Sequence, residues 1–206
     1  MNPDDARETA RGYLSEAAET IRLVESDRLD EVVAAAEILV GSLRAGGKIL
    51  ICGNGGSAAD AQHLATELVS TLTLDHRRPS IPAVALTTDT SLLTAIGNDF
   101  GFEGVFERQV ESLGRGGDVL IAISTSGDSE NVVRAAEAAR TRGLRVVALT
   151  GEGGGRLVKI ADVAIRVPSA VTSHIQEAHI AIEQLLALIV ERDLYPLAPG
   201  TIGSRG

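Results

Sequence analysis

The chain has 206 residues, a formal net charge of −9 and a single cysteine, Cys52. That length suits one domain with a full core. The acidity excludes a general electrostatic hold on nucleic acid, and one thiol excludes an intramolecular disulfide or a thiolate metal cluster.

No apolar run reaches the ~18 residues that span a bilayer. The acidic start, Met1-Asn2-Pro3-Asp4-Asp5, carries no apolar leader segment, so a soluble cytoplasmic protein without membrane contact is expected. Aromatics make up 2% of the residues against 44% hydrophobic, so the core must be built from Ala, Val, Leu and Ile.

From about Asp4 to Ala45 the spacing predicts two helices. The first carries Ala10, Tyr13, Leu14, Ala17, Ile21 and Val24 on one face and breaks at Ser26-Asp27. The second runs through Leu29, Val32, Val33, Ala36, Ile38, Leu39 and Leu43 to Gly46-Gly47. The pattern then changes to short apolar runs alternating with helical periods. Strands are expected at 48–52, 82–86, 118–123, 145–149 and 163–167. Helices are expected at about 57–72, 91–97, 103–113, 130–141, 158–160 and 173–193. Apolar runs of this kind are strands buried on both faces, and their alternation with helices predicts a parallel sheet. The expected fold is α/β, a three-layer αβα sandwich on a five-stranded parallel sheet, preceded by an N-terminal helical hairpin. Residues 1–195 form one domain and 196–206 a flexible tail rich in Pro, Gly and Ser.

Two strand ends carry unusual loops. Gly53-Asn54-Gly55-Gly56-Ser57 follows the first strand, and Ser124-Thr125-Ser126-Gly127-Asp128-Ser129 follows the third. Each leads into a helix. Glycine admits an anion close to the backbone, and a helix start offers unpaired N–H groups at the positive end of the dipole. The hydroxyls of the second loop are neutral donors suited to phosphate. Neither loop is followed by the Gly-Lys-Ser/Thr of a nucleotide-binding P-loop. The first also fits the loose dinucleotide pattern through Gly53, Gly55 and Ala58, but the second strand ends in Thr87 rather than an acid for a ribose.

His63 and Glu67 stand four apart on the next helix and therefore share a face. A carboxylate so placed can take a proton from a carbon beside a carbonyl. The last helix interrupts its apolar run with His174, Gln176, Glu177, His179, Glu183 and Gln184. Of these, His179 reads as a core or interface histidine and Glu183 as an exposed carboxylate. Asn98-Asp99 sits just past the helix at 91–97, where turn formation alone accounts for both residues.

Taken together, Gly53-Asn54-Gly55-Gly56-Ser57 with Asp60 and His63, Gly97-Asn98-Asp99-Phe100-Gly101-Phe102, Ile123-Ser124-Thr125-Ser126-Gly127 with Ser129, Leu149-Thr150-Gly151 and Ile175-Gln176-Glu177 with His179 resemble the phosphoheptose isomerase branch of the sugar isomerase (SIS) proteins. The resemblance runs over nearly the whole chain. It implies the SIS fold, a homotetramer with active sites between subunits, and a sugar-phosphate substrate. The implied reaction interconverts sedoheptulose 7-phosphate and D-glycero-D-manno-heptose 7-phosphate through an enediol. It further implies substrate binding by Asn54, Gly55, Gly56, Ser57, Glu67, Asn98, Asp99, Ser124, Thr125, Ser126, Ser129 and Gln176. Glu67 would be the base, and zinc would be held by His63, Glu67, Gln176 and the residue at position 184.

One position departs from the family. Where the isomerases carry a histidine that completes the metal site and serves as second acid/base, this chain has Gln184. An amide does not titrate, so Gln184 would polarise the carbonyl while water or a neighbour such as Glu183 moves the proton. The missing histidine, and the stretch Asp193-Leu194-Tyr195-Pro196, also resemble non-catalytic tetrameric SIS adaptors that bind the replication initiator. Glu67 and Ser124-Thr125-Ser126 are of the isomerase kind.

Overall fold

A computed structural model describes residues 2–73 and 76–196, so the tail expected at 196–206 lies almost wholly outside the described residues. The chain opens with α1 (Pro3–Asp27) and α2 (Leu29–Arg44), separated by Arg28 alone. Arg28 donates from Nε to the carbonyl of Arg166, which ties the hairpin to the sheet. There follow β1 (Ile49–Cys52), α3 (Gly56–Val69), β2 (Ala83–Ala85) and α4 (Thr90–Phe100). A 3-10 turn at Phe102–Gly104 leads to α5 (Glu107–Leu113). The chain continues through β3 (Val119–Ser124), α6 (Glu130–Thr141), β4 (Arg145–Thr150), α7 (Leu157–Ile160), β5 (Val163–Arg166) and α8 (Thr172–Leu194).

All strand pairs are parallel, in the order β2-β1-β3-β4-β5. Successive side chains on a strand point to opposite faces, and the core divides accordingly. Ile49, Ile51, Val119, Ile121 and Ile123 pack with α2, α3 and α8. Leu50, Cys52, Leu120 and Ala122 pack with α4, α5, α6 and α7. The three layers expected from the sequence are therefore present.

Two expectations change. The apolar face of α1 is mostly not core: Val24 is buried, but Leu14 is 67% exposed, and Tyr13 and Ile21 are also exposed. Tyr13 reaches α8 through its hydroxyl, which donates to Glu177 at 2.5 Å. Second, α3 stops at Val69 rather than near Leu72. The stop has a tertiary cause, because its last carbonyls are taken by an arginine from further along the chain.

Candidate active site

β1 and β3 are neighbours, yet the helices that follow them lie on opposite faces of the sheet, α3 on one and α6 on the other. The crevice at such a switch in strand order is where open α/β sheets bind ligands. Both expected phosphate loops stand there.

In the first loop Gly55 precedes α3 with φ +56°, a left-handed conformation that glycine adopts without strain. A Cβ at Gly56 would overlap the side-chain amide of Gln176, so α8 lies directly against this turn. In the second loop the Ser124 hydroxyl stands 3.0 Å from that of Ser129 and accepts from the Gly127 N–H at 3.1 Å. Ser126 accepts from the Asp128 N–H at 3.2 Å and is exposed. Neither α3 nor α6 has a side-chain cap at its start. Their first-turn N–H groups and the dipoles of two helices are therefore directed at the crevice. A cavity of about 280 Å³ lies beside the second loop, lined by Thr125, Ser126, Gly151, Ser169, Thr172 and Ile175 among others. Ser169 and Thr172 were not singled out from the sequence, since no motif marks them.

Asn54 has a role that its loop did not reveal. Its side-chain amide pairs reciprocally with that of Asn131, at 2.8 Å in both directions. That pair bolts the first loop to the start of α6 and leaves the backbone of the Gly turn as the face available to a ligand. Ser57 is buried beneath the turn.

The second half of the site lies along the seam between α3 and α8. Glu67 Oε1 lies 3.3 Å from Nε2 of His63, and the Gln184 amide nitrogen lies 2.6 Å from the same Nε2. The carboxylate and the amide meet on one imidazole nitrogen. Thus the structure brings together His63, Glu67 and Gln184, while Gln176 lies against Gly56, eight residues back along α8 and about 12 Å of helix away. It does not bring Asn98 and Asp99 to this cluster. They sit inside the last turn of α4, not past its end, and are exposed. The Asn98 amide donates to Asp99 at 2.7 Å.

This donor set fits zinc poorly. Strong zinc sites use thiolate, imidazole and carboxylate ligands. Here two of the four residues are neutral amides, and the Gln184 amide crowds the imidazole nitrogen that faces Glu67. Among the described residues no three His, Cys, Asp or Glu side chains converge on a metal-sized point.

Beneath the seam lies a buried polar layer. Glu183 is 0% exposed rather than the surface carboxylate expected, and among the described residues neither of its oxygens has a hydrogen-bond partner. Burial first, and the charge of nearby Asp60 second, push its carboxyl up to about 9. Asp60 is itself buried, and desolvation raises it to about 6 against the opposing pull of His63. His179 is the expected core histidine. It is fully buried, its Nε2 lies 3.2 Å from the Thr150 carbonyl oxygen, and desolvation lowers it to about 4. Glu183 is thus neutral at physiological pH and closed off from any substrate, which removes it as a replacement acid/base.

A larger cavity, about 560 Å³, lies at the opposite edge of the sheet between α2 and the starts of the strands, near Ser42, Gly117 and Arg145. It holds none of the groups described above.

The SIS domain family pattern matches residues 12–151. A phosphoheptose isomerase of Akkermansia muciniphila is 54% identical over 165 residues, spanning 80% of this chain and 86% of that one. Its counterpart in Rhodospirillum rubrum is 53% identical over 182 residues, spanning 88% and 95%. Among solved structures, a phosphoheptose isomerase from Neisseria gonorrhoeae superimposes with a TM-score of 0.84 at 45% identity, covering 90% of this chain and 98% of the other. Sequence identity near one half over almost the full fold, joined to the two loops at the switch point, places this chain in the phosphoheptose isomerase family of SIS-domain proteins.

Proposed function

We infer that this chain is an aldose–ketose isomerase that interconverts sedoheptulose 7-phosphate and D-glycero-D-manno-heptose 7-phosphate. The observation that carries the reading is a carboxylate, Glu67, held beside an imidazole and an amide on the helix that starts from the first phosphate-type loop. The loops would hold the phosphate through backbone N–H groups and hydroxyls. The C1–C2 end of the sugar then lies against the α3–α8 seam. Glu67 takes the proton from C1 of the ketose to form the enediol and returns it to C2. In the same passage one proton must leave O1 and one must reach O2. Gln184 can donate a hydrogen bond to the developing oxyanion but cannot exchange a proton. His63 is the titratable group in contact with it, and imidazole is the side chain suited to this shuttle.

The test uses sedoheptulose 7-phosphate in a direct isomerase assay. His63→Gln is expected to lower kcat by about 10²-fold, within the usual range for one acid/base group. Gln184→His is expected to leave kcat within about threefold, since His63 already moves the hydroxyl proton; a far larger rise, on the order of the 10²-fold that one acid/base group contributes, would reassign that role to position 184.

We propose in addition that the protein is a cytoplasmic homotetramer. Phe102 at 62% and Phe100 at 54% exposure crown the α4 turn beside Asn98 and Asp99, and the apolar face of α1 is equally uncovered. Apolar surface of this kind is normally covered in an assembly. A partner packed there would also bring its own groups toward Asn98 and Asp99. Light scattering should then return four times the 21.4 kDa chain mass, and a monomer in solution would refute the assembly. Among the described residues no helix is long and apolar enough to cross a membrane.

A further inference from the structure

The α3–α8 seam carries a second polar contact, seven residues along α8 from Gln184. Arg78 and Glu191 face each other there with side chains only 1% exposed, Nε to Oε2 at 2.7 Å. Seven residues are close to two helical turns, so Glu191 lies on the same face of α8 as Gln184, about 10 Å further along.

The arginine does more than neutralise Glu191. Its Nη2 donates to the carbonyl oxygen of Glu67 at 2.7 Å. Its Nη1 donates to the carbonyl of Leu68 at 2.8 Å and to that of Pro79 at 3.1 Å. The carbonyls of Glu67 and Leu68 have no partner within the helix where α3 ends, and that of Leu68 also accepts from the Ile81 N–H at 3.1 Å. Glu191 in turn accepts from the Leu72 N–H at 3.4 Å, and its Oε1 lies 3.2 Å from Nδ1 of His76. One buried guanidinium thus grips the backbone of the proposed base itself and anchors it to the helix that carries Gln184.

We propose that Arg78 is a positioning residue for the isomerisation. Pinned by Glu191, it fixes the last turn of α3 and so sets where the Glu67 carboxylate stands relative to His63 and Gln184. The inference rests on Glu67 being the base. A fork with several donors in a plane is required, because a lysine ammonium is a point charge that cannot span Glu191 and two successive carbonyls. A buried ion pair kept for stability alone has no such requirement, since apolar residues of similar volume commonly replace one without loss.

The test compares Arg78→Met, Arg78→Lys and the double variant Arg78→Met/Glu191→Met with the parent protein, using sedoheptulose 7-phosphate. The double variant leaves no buried charge unpaired, so it separates folding from positioning. Misplacing a reacting group by about 1 Å costs up to about 10²-fold. The expected result is therefore a kcat lowered about 10- to 100-fold in both methionine variants, with KM within about threefold because the phosphate loops are untouched. Arg78→Lys is expected to recover only part of the loss. A double variant with kcat equal to the parent's would overturn the proposal. If neither methionine variant folds, Arg78→Lys decides alone, and parental kcat in it would overturn the proposal equally. A parent protein that does not turn over the sugar phosphate defeats the isomerase reading instead. Positioning is then read from a crystal structure of the double variant, or of Arg78→Lys. A Glu67 carboxylate still in contact with His63 at its parental distance would refute it.

Discussion

Glu67→Gln is expected to abolish measurable isomerisation, with kcat lowered by about 10²–10⁴-fold, the contribution of a positioned general base. The substitution keeps the shape of the side chain and removes only its capacity to take a proton. The backbone around it is held independently, by Arg78 at the Glu67 carbonyl and by Leu64 and Leu68 in the core. The phosphate loops are remote from the change, so affinity for sedoheptulose 7-phosphate should stay within about threefold of the parent, consistent with loss of an interaction made only in the transition state. Turnover in D₂O gives the sharper reading. A base that carries the proton between C1 and C2 washes solvent deuterium into the sugar, and the Glu67→Gln protein should show no such exchange. Exchange at the parental rate would move the base elsewhere.

The second large effect concerns stability. Glu183→Gln should raise the melting temperature at pH 7 by roughly 6–12 °C, and the gain should vanish near pH 4.5. Unfolded, the Glu183 carboxyl titrates near its ordinary value of 4.5; folded, it titrates at about 9. Below pH 4.5 both states are protonated and burial of the acid carries no titration penalty. As pH rises toward 9 the unfolded state ionises while the folded state stays neutral, so stability falls by about 1.4 kcal/mol per pH unit. At pH 7 this amounts to roughly 3 kcal/mol, and for a chain of this size each kcal/mol moves the midpoint by about 2–4 °C. The glutamine is neutral in both states and does not incur this penalty. Melting curves from pH 4.5 to 8.5 measure it directly. A difference between the two proteins that does not grow with pH would contradict the buried, protonated state of Glu183.

A buried carboxyl without partners on a helix of the site is a local cost with no evident structural return. Its position next to Gln184 shows how the departure from the family is arranged. The acid faces the interior toward Asp60, while the amide faces His63. A titratable group is present at this turn of α8, but it is turned away from the crevice. In the proposed mechanism the burden of proton exchange therefore falls on α3, on His63 and Glu67.

Much of this molecule was legible in local sequence. Lys48 to Cys52 and Asp118 to Ile123 are continuous apolar runs that end in loop residues, and both became central parallel strands within a residue of the expected bounds. The helix at Glu130–Thr141 was bounded by Ser129 before it and Gly143 after it, and it formed over that span. The i, i+4 spacing of His63 and Glu67 placed them on one face by helix geometry alone. Such features depend on contacts within a few residues, which is why a single sequence reveals them.

Other features were decided only when distant segments met. The stop of α3 at Val69 depends on Arg78, which comes from beyond the end of the helix. The reciprocal amide pair joins Asn54 to Asn131 across 77 positions. Glu183 differs from an exposed glutamate by nothing in its own neighbourhood, and only the packing of α8 against α3 turned it inward. The contact of Gln184 with His63 spans 121 positions. Local propensity and periodicity therefore set the strands, loops and helical faces, while the pairing of two helices across the sheet decided which polar groups meet, which are buried and which are left to do the chemistry.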